Sequence, residues 1–239
     1  MEFLTMIFTA ALSAMQGVTL LIALAVSAGQ TSVQPTAQRF DYLVRADFFA
    51  GVAGDSERLQ KVIDLCEQTL AKDPRHAEAM VWHGSALLVR SGQAFQKGDM
   101  AKGGELWGRG IRELDEAAAI GPDRPGVLIP RGATLIEATK GMPPEMARPL
   151  LESAVANYEH VLAIQAPYFA DLSDHAKGEL LFGLAEADSR LGAHVKARSY
   201  FERLIADAPS SGRTPQAREW LATGTMSKST GIGCVGCHK

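Results

Sequence analysis

Gly178-Glu-Leu-Leu-Phe-Gly-Leu-Ala-Glu-Ala-Asp-Ser-Arg-Leu-Gly192, continued by Ala193-His-Val-Lys-Ala-Arg-Ser-Tyr-Phe-Glu-Arg-Leu-Ile-Ala-Asp-Ala-Pro209 and then Ser210-Ser211, decides the fold. Leu181, Leu184 and Ala185 recur at helical spacing, as do Ala197, Phe201 and Leu204; such spacing puts each set on one face of a helix. Gly192 permits a tight turn between the two helices, and Pro209 cannot continue the second. Two helices joined by so short a turn fold back on one another as a pair. Small residues such as Ala185 and Ala197 let their axes approach.

The same punctuation recurs upstream. A first pair is expected over residues 40–74, with Gly54 at its turn and Pro74 at its close. A second begins at His76-Ala77-Glu78-Ala79-Met80, ends at Ile120-Gly121-Pro122, and carries an insertion around residues 92–104. A third runs over residues 126–167 with its turn at Gly141-Met142-Pro143-Pro144. Thr214 to Ala222 reads as a lone helix that caps the stack. Period-2 alternation is almost absent, and Ala, Leu, Glu, Arg and Lys dominate. The fold class expected is therefore all-α, a helical-repeat solenoid of about four helix pairs plus a capping helix.

The unit over residues 178–211 resembles a tetratricopeptide repeat, whose period is about 34 residues. Leu181, Leu184 and Ala185 stand where that family places the aromatic, leucine and small residue of its first helix. Ala197 and Phe201 stand at its small and large positions on the second, and Pro209 closes the unit. Asp188 and Leu204 depart from the family's commonest choices, an aromatic and a small residue. The resemblance covers roughly residues 40–223, most closely in the last unit. It implies a scaffold with an extended concave surface for a protein partner.

The chain has 239 residues, a formal charge of −3 and no dense basic run, which argues against a nucleic-acid partner. Three cysteines are too few for a disulfide framework. Cys66, alone in an apolar helical pattern, reads as a small buried hydrophobe. From Phe3 to Ala28 there is no charged residue, and Ser27-Ala28 closes the most apolar part. Residues 1–28 are expected to be a signal peptide cleaved after Ala28, with a retained membrane anchor and a buried core helix as the alternatives. Residues 29–39 are a linker, residues 40–223 the repeat domain, and residues 224–239 a C-terminal tail.

That tail ends in Cys234-Val235-Gly236-Cys237-His238-Lys239. Cys-x-x-Cys-His is read as a c-type haem attachment site. Two thiols at this spacing can each add to a vinyl group of one porphyrin, and the next residue, His238, then supplies the proximal iron ligand. A structural zinc site needs about four ligands, and no second cysteine pair exists. A thioredoxin-like pair belongs beside a βαβ pattern, which is missing here. The cofactor expected is haem c, one per chain, held by Cys234 and Cys237 as thioethers. In this it is similar to c-type cytochromes, although the familiar small ones carry the motif near the N-terminus with a Met ligand downstream. Only Lys239 follows here, so the haem is expected to lie on the repeat body or on another subunit.

Residues 224–233 are expected to form a flexible tether with a typical span of about 17 Å. In an antiparallel stack the cap helix returns to the end that holds Gly192-Ala193-His194. His194 is therefore the favoured internal distal ligand and Met226 the local alternative, with His76 and His175 at the opposite end. The charged run Arg112-Glu113-Leu114-Asp115-Glu116 reads as a solvated helix face, and Trp82, Trp107 and Trp220 as packing residues. No catalytic constellation is visible. The leading expectation is an extracytoplasmic electron carrier, in the bacterial periplasm or at the cell surface, that docks a protein redox partner. The alternatives are a haem-containing filament of neighbouring copies, an open-site enzyme or sensor, and an adaptor without a redox role.

Overall fold

The computed structural model describes residues 39–226. Within them the chain forms nine α-helices, one 3₁₀ turn and no strand. They are α1 (Phe40–Val52), α2 (Ser56–Lys72), α3 (Ala77–Gln96), α4 (Met100–Ile120), α5 (Pro125–Ala138), α6 (Pro144–Gln165), α7 (Asp174–Leu191), α8 (His194–Asp207) and α9 (Thr214–Thr223). The 3₁₀ turn, Ala166–Asp171, leads from α6 toward α7. The fold is all-α and built from consecutive helix pairs, α1–α2, α3–α4, α5–α6 and α7–α8, closed by α9.

Local chemistry starts and stops these helices where the sequence changes character. Asp55, Asp99 and Ser173 each accept a backbone N–H with the side chain at the N-cap, satisfying donors that have no partner within the helix. α5, α6 and α9 begin instead with proline in the first turn, where its missing N–H costs nothing. Gly192 ends α7 in the left-handed conformation at φ 82°, a region that L side chains avoid.

Pairing is antiparallel, and the α3–α4 register shows it. Along the crossing His83 meets Glu113, Gly84 meets Gly110 and Ser91 meets the Gly103 carbonyl. A Cβ on Gly84 would lie 2.9 Å from the Gly110 carbonyl oxygen, and one on Gly110 would lie 2.9 Å from that of Gly84. Two glycines thus bring the backbones into direct contact, closer than side-chain interdigitation allows. The insertion expected over residues 92–104 is absorbed into these two helices, which extend to Gln96 and begin again at Met100. α7 starts four residues ahead of the expected Gly178, because Ser173 caps it at Asp174.

The first helices of successive pairs touch in series, α1 to α3 to α5 to α7, and so make one continuous layer. One hydrophobic core runs through the stack, from Phe40 and Val44 in α1 to Trp220 in α9. In the last pair Leu181, Leu184, Ala185, Ala197, Phe201 and Leu204 are all fully buried. Phe201 packs on Phe182 at 5.9 Å and on Trp220 at 4.8 Å between ring centroids. A buried phenylalanine contributes about 1.5–3 kcal/mol by burial alone, so this aromatic row joins the last pair to its cap.

Candidate functional site

Cys234, Cys237 and His238 lie outside the described residues, as do the signal or anchor segment 1–28 and nearly all of the linker, residues 29–38. Two features of the described residues bear on that expectation: the end from which the chain leaves α9, and a groove along the layer of first helices.

α9 runs back along α8. At its start the Thr214 hydroxyl donates to the Ala208 carbonyl at 2.9 Å, and near its end Trp220 lies 6.3 Å from the His194 ring. The Trp220 indole N–H donates to Ser189 Oγ at 2.9 Å, which fixes the ring between α7 and α8. Gly224 caps α9 at φ 72°, Thr225 bonds back to the Thr223 hydroxyl, and Met226 is half-buried against the core. The first three residues of the expected tether are thus held on the body. His194 is exposed beside Val195, which is 86% exposed, with the Trp220 ring on one side of its imidazole. His76 caps α3, its Nδ1 accepting the Ala79 N–H at 3.0 Å, and His175 lies in the first turn of α7. Both are at the end of the stack opposite His194.

The groove has a volume of about 680 Å³ and is bounded by α1, α3, α4 and α5. It lies within the range of ligand pockets, about 300–1,000 Å³. Its wall is strongly aromatic: Phe48, Phe49, Trp82, Phe95 and Trp107 all contribute. Trp82 is buried, edge-on to Phe48 at 5.1 Å, and its indole N–H has no hydrogen-bond partner. Trp107 is only half-buried. At the rim, Lys140 pairs with Glu137 at 2.6 Å and with Glu186 of α7 at 3.6 Å. Met142 lines the same rim, half-buried, on the α5–α6 turn. That turn carries Gly141 at φ 81° and is closed by Pro143 and Pro144, and Met142 N–H donates to the Thr139 carbonyl at 3.1 Å. Sequence reasoning saw Met142 only as part of a turn; the signal that could have singled it out was a methionine between Gly and Pro-Pro at a repeat turn.

Other expectations resolve plainly. Cys66 is fully buried, and burial pushes its thiol up to about 12, with Glu113 and Glu67 adding to the rise. It is a core residue rather than a reactive thiol. Trp82 and Trp220 are buried packing residues. The run Arg112–Glu116 is not a uniformly solvated face. Glu113 turns inward, accepting from Arg109 Nε at 2.9 Å and pairing with buried His83 Nδ1 at 2.5 Å. It does so because the Gly84–Gly110 contact draws α3 within reach of a glutamate three residues on. Burial pushes the Glu113 carboxyl up, but His83 and Arg109 outweigh it and hold the group below its ordinary range. His83 Nε2 lies 3.6 Å from Glu67, too far for a hydrogen bond.

Among the described residues no cluster of three His, Cys, Asp or Glu side chains could hold a metal ion, and no helix is long and apolar enough to cross a membrane. No family profile matches the chain, and neither a curated protein nor a solved structure shows significant similarity to it.

Proposed function

We propose that this chain is an exported electron-transfer protein, with one haem c bound through Cys234 and Cys237 and ligated by His238. Its helical-repeat body, resembling a tetratricopeptide scaffold, docks a protein redox partner. The observation that carries the reading is the order Cys-Val-Gly-Cys-His at residues 234–238, two thiols and an imidazole in the register that thioether attachment requires. Attachment of this kind takes place after export, which the uncharged stretch from Phe3 to Ala28 supports. An aromatic groove of about 680 Å³ on the described body, with a thioether at its rim, supports the reading. When bound, haem supplies a one-electron iron couple whose potential follows from its axial ligands and its exposure. The chain's own part is to hold that group, limit its contact with water and present it to the partner.

The test is the absorption spectrum in alkaline pyridine of denatured protein, purified from a host that matures c-type cytochromes. One covalent haem per chain is expected, lost in the Cys234→Ala/Cys237→Ala double variant. Absence of haem from the parent protein refutes the reading.

A further inference from the structure

We propose that the face shared by α5 and α7 carries a binding site for an organic ammonium group, received by the Glu186 carboxylate and the Tyr158 hydroxyl. The group is that of a free alkylamine or of a lysine side chain on a protein partner. The site lies wholly within the described residues and stands whether or not the chain carries haem.

Tyr158 reaches this face through a slot. It belongs to α6, the second helix of its pair, yet its ring packs onto both Gly132 of α5 and Gly183 of α7, which are neighbours in the layer of first helices. A Cβ at Gly183 would lie 2.4 Å from the Tyr158 ring edge, and one at Gly132 would lie 3.0 Å from Cζ, the carbon that bears the hydroxyl. Two glycines thus open the first layer to a phenol from the second. Tyr158 is 3% exposed, and its hydroxyl has no hydrogen-bond partner in the protein. Phenylalanine would serve the packing, and a buried hydroxyl left unpaired is destabilising. The hydroxyl is therefore the feature that packing does not explain.

Carboxylates flank the slot. Glu179, Gly183 and Glu186 follow one another at i, i+4 and i+7 in α7, which sets them on one face with a carboxylate one turn to either side of the glycine. Burial pushes the Tyr158 phenol up, Glu179, Glu186 and Glu137 add to the rise and Arg213 opposes it, so the hydroxyl keeps its proton. The cations nearby are spent elsewhere. Arg213 forks onto Glu179 at 2.9 and 3.0 Å, Arg190 donates to the Ile136 and Thr139 carbonyls at 2.8 Å each, and Lys140 lies 2.6 Å from Glu137. Glu186, whose side chain is 13% exposed, is left with Lys140 at 3.6 Å, too far for a hydrogen bond. Burial pushes its carboxyl above the ordinary range, Glu137 adds to the rise, and the pull of Lys140, Arg190 and Arg213 does not offset them. A carboxylate without a donor and a hydroxyl without a partner thus open on one face. An ammonium carries three N–H donors and the missing charge, and so satisfies both at once.

The experiment follows the backbone amides of the full, isotope-labelled chain by NMR during titration with n-butylammonium chloride and, separately, with N-acetyl-lysine amide. Saturable shifts should centre on Gly132, Gly183 and Glu186, and n-butanol, which has the chain but no charge, should not produce them. Glu186→Gln should weaken binding by about tenfold or more. Tyr158→Phe keeps the ring in its slot and removes only the hydroxyl; it should weaken binding while the thermal melt is retained or raised, an outcome that a purely structural hydroxyl would not give. Glu145→Gln, the same charge change on an exposed residue at the start of α6, should leave binding unaltered. Binding of both probes assigns the site to the ammonium group itself. Binding of the lysine amide alone names a partner's lysine as the source, and binding of n-butylammonium alone names a free amine. Shifts with neither probe, equal shifts with n-butanol, or binding that survives either Glu186→Gln or Tyr158→Phe overturn the site. Absence of haem from the pyridine spectrum leaves this test untouched, so the two readings fail separately.

Discussion

Replacing Asp188 with leucine should stabilise the protein at neutral pH, by an amount that shrinks at low pH. Asp188 is 3% exposed in α7, and its Oδ2 has no hydrogen-bond partner. Burial raises its carboxyl above the ordinary range; nearby Lys196 pulls it down and Glu159 pushes it further up. Leaving a buried polar atom unsatisfied costs about 1–3 kcal/mol, and more when it is charged. Leucine has the same branching at Cγ and removes that cost while adding apolar contact. Lys196, being exposed and paired with Glu159 at 3.5 Å, gives back only part of it through solvent. A net gain of about 1–2 kcal/mol follows, or about 2–8 °C in Tm for a domain of this size. The sign of the pH dependence is fixed by the raised carboxyl. Its charged form is the one that burial disfavours, so the native state is penalised above the folded pKa. The penalty fades as pH falls through the folded pKa toward the unfolded one. Urea unfolding of parent and Asp188→Leu, at neutral pH and at successively lower pH, reads this directly. A variant less stable than the parent at neutral pH, or a gain that does not shrink on acidification, would refute the reasoning.

Glu113→Gln should behave in the opposite sense. His83 and Arg109 hold Glu113 below its ordinary range, so the native state gains from its charge above the unfolded pKa and loses that gain as pH falls through the folded one. The variant should be less stable by about 1–3 kcal/mol at neutral pH and match the parent under acid in the same urea series. Gly84→Ala puts a methyl 2.9 Å from the Gly110 carbonyl and 3.2 Å from Glu113 Cβ. The helices must separate, at about 1–3 kcal/mol, and a thermal melt unchanged from the parent would contradict the close crossing.

The all-α architecture was legible because each signal behind it is local. Apolar residues at helical spacing, Gly54, Gly141 and Gly192 at turns, and Pro74, Pro122 and Pro209 at closes carry their structural meaning within a few positions. What the sequence hid was equally physical. α7 begins at Asp174 because Ser173 caps it, a start masked by the weakly apolar turn His175-Ala176-Lys177. The apparent insertion at residues 92–104 is helix on both sides of Lys97-Gly98-Asp99, although Gly92, Gly103 and Gly104 read as breakers; of the three only Gly103 sits in a close contact, against the Phe95 ring. Glu113 looked solvated because its partner, His83, is thirty positions away.

The site divides along the same line. The proposed thioether attachment is the chemistry of five contiguous residues, Cys234 to His238, and contiguous chemistry can be read directly from a chain. The aromatic groove is assembled from Phe48, Phe95, Trp107 and Met142, on three helices and a turn, and no local pattern encodes that meeting. His194 was favoured from connectivity, which placed it near the chain exit, and Trp220 does lie against it. Proximity to the exit is nevertheless a weaker criterion than environment. An exposed imidazole would leave a haem in water, with the iron bond alone fixing it to the body beyond its thioether links to the tail. Where the pyridine spectrum shows attached haem, the reduction potential of the parent compared with that of His194→Ala tests that imidazole, and an unchanged potential removes His194 as a ligand.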